Sequence, residues 1–93
     1  MDLSRSQAWY ERARVVLPGG NSRSTIDLKP HPIYVTHGKD SRVFDVDGNP
    51  YVDFNNNYTS LILGHANDEV NAAVAAQVPH GTAFSFGTRE EVE

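Results

Sequence analysis

The sequence predicts a mixed α/β segment: a helix, a small three-stranded antiparallel sheet, and a second helix. Three observations predict it. Apolar residues recur at three-to-four spacing between Ala8 and Leu17, the period of one helix face. Short alternating runs flank the string Asp47-Gly48-Asn49-Pro50, the pattern of strands joined by a tight hairpin. Asn67 precedes Asp68 and Glu69, a side-chain cap followed by acids that favour the positive end of a helix dipole.

Taken in order, Ser4-Arg5-Ser6-Gln7 fits a capping box, in which a hydroxyl accepts from a helix N–H and the glutamine returns the bond. Ala8, Trp9, Arg12, Ala13, Val16 and Leu17 then follow at three-to-four spacing, with the Arg12 head group available to water, and Pro18-Gly19-Gly20 stops the helix, because proline cannot donate and clashes with the preceding turn. Residues 21–32 read as irregular. Asn21, Ser22, Ser24, Thr25 and Asp27 are polar, and Pro30-His31-Pro32 imposes extended geometry. Three strands follow at Ile33–His37 (ending at Gly38), Arg42–Val46 and Tyr51–Phe54, pairing Val35 with His37, Phe44 with Val46, and Val52 with Phe54 on their faces. Asn55–Ser60 is turn-prone and gives way to Leu61–His65. The second helix presents Val70, Ala73, Val74 and Val78 on one face and closes at Pro79.

The last stretch has a different character. Residues 80–87 are loop-like yet carry Phe84 and Phe86, and Thr88-Arg89-Glu90-Glu91 forms another capping box. A helix start without a helix body predicts that these 93 residues are the front piece of something longer, with no complete independent domain.

Composition removes several function classes. There are no cysteines, which excludes disulfide scaffolds, thiolate metal sites and thiol catalysis. The net charge is −4, and the eight basic residues are spread from Arg5 to Arg89, so no cationic face for nucleic acid is expected. The longest apolar run, Ala72–Ala76, is far shorter than the roughly 20 residues a membrane span needs. The N-terminus lacks a secretory apolar core. The expectation is an acidic, cytoplasmic protein.

Few residue sets carry chemistry unaided. Asp45, Asp47 and Asn49 resemble the start of a calcium loop, but the glycine falls at the fourth position and Asn56 stands at the twelfth, so a hairpin turn explains them better. His31, His37, His65 and His80 show no ligand spacing. No nucleophile elbow and no phosphate cradle is present. Arg23 stands in a short polar loop between Ser22 and Ser24 without an acid at helical spacing. A guanidinium without a local partner suits a ligand carboxylate or phosphate, although a solvated loop arginine has the same pattern. Tyr58 likewise reads either as a core-edge tyrosine or as a pocket wall.

Several strings taken together resemble one family. They are Val16-Leu17-Pro18-Gly19-Gly20-Asn21-Ser22, Phe44-Asp45-Val46-Asp47-Gly48-Asn49, Tyr51-Val52-Asp53-Phe54, Leu63-Gly64-His65-Ala66 before Glu69-Val70, and Gly81-Thr82-Ala83-Phe84 before Glu91. In order and spacing they resemble the N-terminal region of class III aminotransferases, pyridoxal-phosphate enzymes of fold type I. The glutamate-1-semialdehyde aminomutase and β-amino-acid transaminase branches are the most similar. The resemblance implies a small-domain part leading into a larger α/β cofactor domain, a homodimer, and an amino-acid substrate exchanging with a keto-acid acceptor. It implies that Arg23 clamps a substrate carboxylate, that Tyr58 forms a pocket wall where the aminomutase pattern has tryptophan, and that Thr59, Ser60, Phe84 and Ser85 line neighbouring stretches.

The departures matter too. The aminomutase string Asn-Ser-Pro-Val-Arg is here Asn21-Ser22-Arg23-Ser24-Thr25, Trp-Gly-Pro is Tyr58-Thr59-Ser60, and His-Pro-Glu is Asn67-Asp68-Glu69. A transaminase acting on a carboxylated amine fits these better than an aminomutase. The family's cofactor lysine, pyridine-binding carboxylate and phosphate loop fall outside the matched strings. Lys29 and Lys39 are the only lysines, and both read as solvated, so the chain alone is expected to be inactive. The rival from another class is a small non-catalytic interaction module.

Overall fold

The computed structural model describes residues 1–23 and 28–93. The expected polar loop residues Ser24, Thr25 and Asp27 lie outside the described set. The first helix, α1, spans Ser4–Val16. Its start is not held by the expected capping box, because Leu3 is the N-cap residue and makes no side-chain bond. Asp47 does this from 41 and 42 residues away: its carboxylate accepts from Arg5 N at 2.8 Å and Ser6 N at 3.0 Å. Asp2 accepts from Ser4 N at 2.9 Å. A full negative charge at the positive end of the helix outcompetes a neutral hydroxyl. Ser6 is thereby buried, and its Oγ accepts from Tyr34 N. The helix stops at Pro18–Gly20 in a single 3₁₀ turn, as expected.

The sheet has three antiparallel strands in the order β1-β2-β3: Val35–Lys39, Arg42–Asp45 and Pro50–Val52. β1 lies two residues later than the expected Ile33–His37 and runs through Gly38. Lys39 pairs with Arg42, leaving Asp40 and Ser41 to make the turn, with Asp40 at φ 52°. A two-residue hairpin loop needs positive φ, and aspartate tolerates it. His37 and Phe44 stack across the strands at 4.6 Å. β3 begins at Pro50 and leaves the ladder after Val52, so the expected Val52–Phe54 face is not built. Phe54 is 92% exposed. Between β2 and β3, the buried Asp45 accepts from Asp47 N, Asn49 N, Asn49 Nδ2 and Tyr51 Oη at 2.8–2.9 Å. The Asp-x-Asp-x-Asn string is therefore turn chemistry.

The second long helix, α2, spans Asp68–Gln77, and Asn67 Oδ1 accepts from Val70 N at 3.1 Å. The cap and the two acids act as the sequence predicts. The second capping box does not form: Thr88 makes no side-chain bond, and Arg89–Glu91 is one 3₁₀ turn. Among the described residues Ala13 is the buried hydrophobic one, while Val70 and Val74 on α2, Val78 at its C-cap, and Ile62 and Leu63 before it face solvent. The radius of gyration is 16.7 Å, against about 12 Å for a compact domain of this length. The apolar faces of both helices are thus largely uncovered by the rest of the described chain. No described helix is long and apolar enough to cross a membrane.

Candidate functional site

A half-open cleft of about 530 Å³ lies where β1–β3 meet the loops on either side. Its floor is apolar, from Leu28, Ile33, Val35 and Val43, and Tyr51 and Tyr58 add rings. Arg23 supplies its cation, and Asp53 and His65 line its rim. The structure thus brings together two residues that the sequence analysis singled out separately, Arg23 and Tyr58. Arg23 is exposed and has no ion pair among the described residues.

Tyr58 reaches the cleft from an unusual backbone. Asn56, Asn57, Tyr58 and Thr59 all have positive φ, at 48°, 50°, 57° and 69°, forming one left-handed turn. For L-residues that hand costs roughly 1–2 kcal/mol each, least for asparagine. The two asparagines suit it; Tyr58 and Thr59 do not. Local bonds hold the turn. Asp53 Oδ1 accepts from Asn55 N at 2.9 Å and Asn56 N at 3.0 Å, and Asn55 Oδ1 accepts from Tyr58 N at 2.6 Å.

The other oxygen of Asp53 lies 2.6 Å from His65 Nε2, with the two side chains 17% and 20% exposed. The bond from His65, then the Asn56 N–H, hold the Asp53 carboxyl below the usual aspartate range against the opposing effect of burial. An ionised carboxylate only accepts, so Nε2 carries a proton. His65 is fixed in turn by β1 and the turn that follows it. Its backbone exchanges hydrogen bonds with Asp40 at 2.8 and 2.9 Å. Its ring lies over Gly38, where a Cβ would sit 2.6 Å from Cγ. Gly64 has φ 77°, and a Cβ there would meet the Asp40 carbonyl at 2.6 Å.

The remaining residues predicted for the pocket are scattered. Ser60 belongs to a separate apolar cleft of about 410 Å³ beside the start of α2. Phe84 lines a third, of about 440 Å³, folding over Gly81. Thr59 and Ser85 are exposed and line none of these three. Sequence reasoning missed Asp53 and His65, because a pair twelve residues apart has no local period to betray it. Their only signal was their place in the Tyr51–Phe54 and Leu63–Ala66 strings.

The described residues do not assemble a seat for pyridoxal phosphate. Lys39 Nζ donates to Ala66 O at 2.9 Å and Asp68 Oδ1 at 3.1 Å, an exposed strap between β1 and α2 outside the Arg23 cleft. Lys29 is exposed and is likewise absent from the residues lining that cleft. No group of metal-binding side chains occurs among the described residues. The cleft offers instead a cation, the Tyr58 phenol, the Tyr51 ring and an apolar floor, which can bind and orient an amphipathic carboxylate.

Comparison with known proteins agrees in outline. The model of the class-III aminotransferase family matches residues 25–93. The chain is 43% identical over 93 residues to a glutamate-1-semialdehyde 2,1-aminomutase of Archaeoglobus fulgidus, covering all of this chain and 22% of that protein. Among solved structures, a transaminase with pyridoxal phosphate bound superposes with a TM-score of 0.90 and 50% identity, over 99% of this chain and 22% of that one. An ω-transaminase from Sphaerobacter thermophilus gives 0.85 and 45%, over 94% and 20%. The chain therefore spans about a fifth of the length of the relatives it matches.

Proposed function

This chain belongs to the class-III aminotransferase family, and on that premise we propose that it is the N-terminal part of a pyridoxal-phosphate-dependent aminotransferase in which Arg23 binds the substrate carboxylate. The observation that carries the reading is the cleft itself: one guanidinium without an ionic partner among the described residues, set beside Tyr58 over an apolar floor. Family membership also displaces the non-catalytic module as the rival reading.

A planar guanidinium grips a carboxylate through two parallel N–H bonds and so fixes orientation as well as affinity. The apolar floor accepts the carbon skeleton of the amine, and the tyrosines exclude water from one side. When bound, pyridoxal phosphate supplies the electron sink for moving the amino group. This chain's residues contribute binding and orientation of the substrate. The amino donor and keto-acid acceptor would use this site in turn, in a cytoplasmic homodimer.

A second reading, glutamate-1-semialdehyde 2,1-aminomutase, is favoured by the 43% identity to the Archaeoglobus fulgidus protein. The replacement of the aminomutase Trp-Gly-Pro string by Tyr58-Thr59-Ser60 favours the transaminase. One experiment tests the main reading: Arg23→Ala in the complete enzyme. KM for carboxylated donors should rise about 10- to 100-fold, and KM for the corresponding plain amines should stay within about twofold. Equal effects on both would remove the clamp. Turnover of glutamate-1-semialdehyde without an external keto acid would establish the aminomutase.

A further inference from the structure

The left-handed turn at Asn56–Thr59 carries bonds of its own, Thr59 N to Asn55 O at 2.9 Å and Tyr58 N to Asn55 Oδ1 at 2.6 Å, but it is a strained conformation. Four consecutive L-residues sit at positive φ, and such strain persists only where the surroundings over-determine it. What surrounds it is a closed ring of contacts. Asp53 stands at its entrance and His65 beyond its exit, paired at 2.6 Å. The second oxygen of Asp53 accepts the N–H groups of Asn55 and Asn56, where the turn begins.

The backbones of both partners are anchored to the β1–β2 turn. Asp53 N donates to Ser41 O at 2.8 Å, and His65 exchanges two backbone bonds with Asp40 in the same β1–β2 turn. Gly38 leaves room for the imidazole to pack against β1. The pair therefore joins the two ends of the 54–64 loop over a fixed base.

We propose that Asp53 and His65 are positioning residues: their pairing closes the base of the 54–64 loop, sustains the left-handed turn, and so holds Tyr58 at the cleft that Arg23 shares. This inference rests on the proposed substrate-binding role of that cleft. It assigns to Asp53 and His65 no contact with the reacting atoms. If the pair opens, the turn relaxes to right-handed or extended backbone and the Tyr58 ring leaves the cleft wall. Binding of the carboxylated amine then weakens although Arg23 is intact.

The test uses His65→Gln and Asp53→Asn in the complete enzyme, with two readouts. Amide hydrogen exchange at residues 55–60 should accelerate at least about tenfold while protection in β1–β3 is unchanged. KM for a carboxylated donor should rise about tenfold with kcat altered less than about threefold. Unchanged exchange at 55–60, acceleration spread through the whole sheet, or an unchanged KM once the turn has loosened would each overturn the proposal. A wild-type measurement stands independently of any variant. Nitrogen NMR of the His65 ring should show a protonated Nε2 in slow exchange with water, and an unprotonated Nε2 at neutral pH would overturn it. Arg23→Ala separates the two levels. It should leave exchange at 55–60 unchanged, and a failure of its substrate discrimination would sink the clamp while leaving the loop's closure to be judged by exchange.

Discussion

Asp45 ends β2 and Asp53 follows β3, and each carboxylate gathers several donors around one turn of the chain. Asp45 is buried and takes four hydrogen bonds from within residues 47–51. The turn it organises then extends Asp47 to the start of α1. Asp53 is partly exposed, takes its bonds from a left-handed turn and from His65, and lines the Arg23 cleft. The first hub spends its donors on joining helix to sheet. The second spends them on a conformation that the chain would otherwise avoid, next to a ligand-sized space. A carboxylate hub around relaxed backbone contributes stability, whereas one around strained backbone converts stability into placement.

The largest expected effect breaks the first hub. Asp45→Asn removes the charge that four donors converge on, and should lower Tm by on the order of 10 °C with little change in KM for carboxylated donors. The variants at Asp53 and His65 should show the reverse weighting. The pH dependence has a definite sign. Burial pushes the Asp45 carboxyl up, but side-chain bonds from Asn49 and Tyr51 and the N–H groups of Asn49 and Asp47 outweigh it, lowering its pKa from 3.8 to about 2. A folded value below the unfolded one means the stabilisation is complete above the unfolded value and is lost as pH falls through the folded one. The Tm gap between wild type and Asp45→Asn should therefore be constant near neutrality, narrow below 3.8, and close around 2. A gap that persists undiminished at the acid end would show that shape, not charge, holds the turn.

A smaller effect sharpens the link between this hub and α1. Asp47→Ala leaves the Asp45 bonds in place but strips Arg5 and Ser6 of their acceptor, and should cost about 1 kcal/mol, read from the urea midpoint. The smallest contrast lies between two local caps. Asn67→Ala should cost about 0.5–1 kcal/mol because its bond to Val70 N is made. Thr88→Ala should change stability by less than about 0.5 kcal/mol, since Thr88 caps nothing. Equal costs at the two positions would mean that the capping-box pattern, and not the observed bond, is what stabilises.

These pairs also show what was legible. Asn67 with Asp68 and Glu69 could be read because cap, acids and helix are contiguous. The Ser4–Gln7 box was a false lead for the opposite reason: the true acceptor, Asp47, arrives from a hairpin some forty residues on. The strand boundaries slipped because Gly38 looked like a stop. It is instead the opening into which His65 packs, a role set by another part of the chain. Arg23 and Tyr58 were found singly, through a loop pattern and a family resemblance. Their shared cleft, and the separation of Ser60 and Phe84 from it, appear only when the loops are placed against the sheet.

The sequence by itself determined the order and kind of the elements, the hairpin turn, the cap of α2 and the family. All of these depend on residues close in the chain or on the order of short strings. Only the tertiary structure decided where α1 finds its N-terminal charge, which hand the backbone takes at Asn56–Thr59, and that Asp53 meets His65. Those depend on contacts between residues far apart in sequence or on strain that nearby propensities oppose. Periodicity reports a local free-energy preference, and these features exist because distant contacts outweigh one.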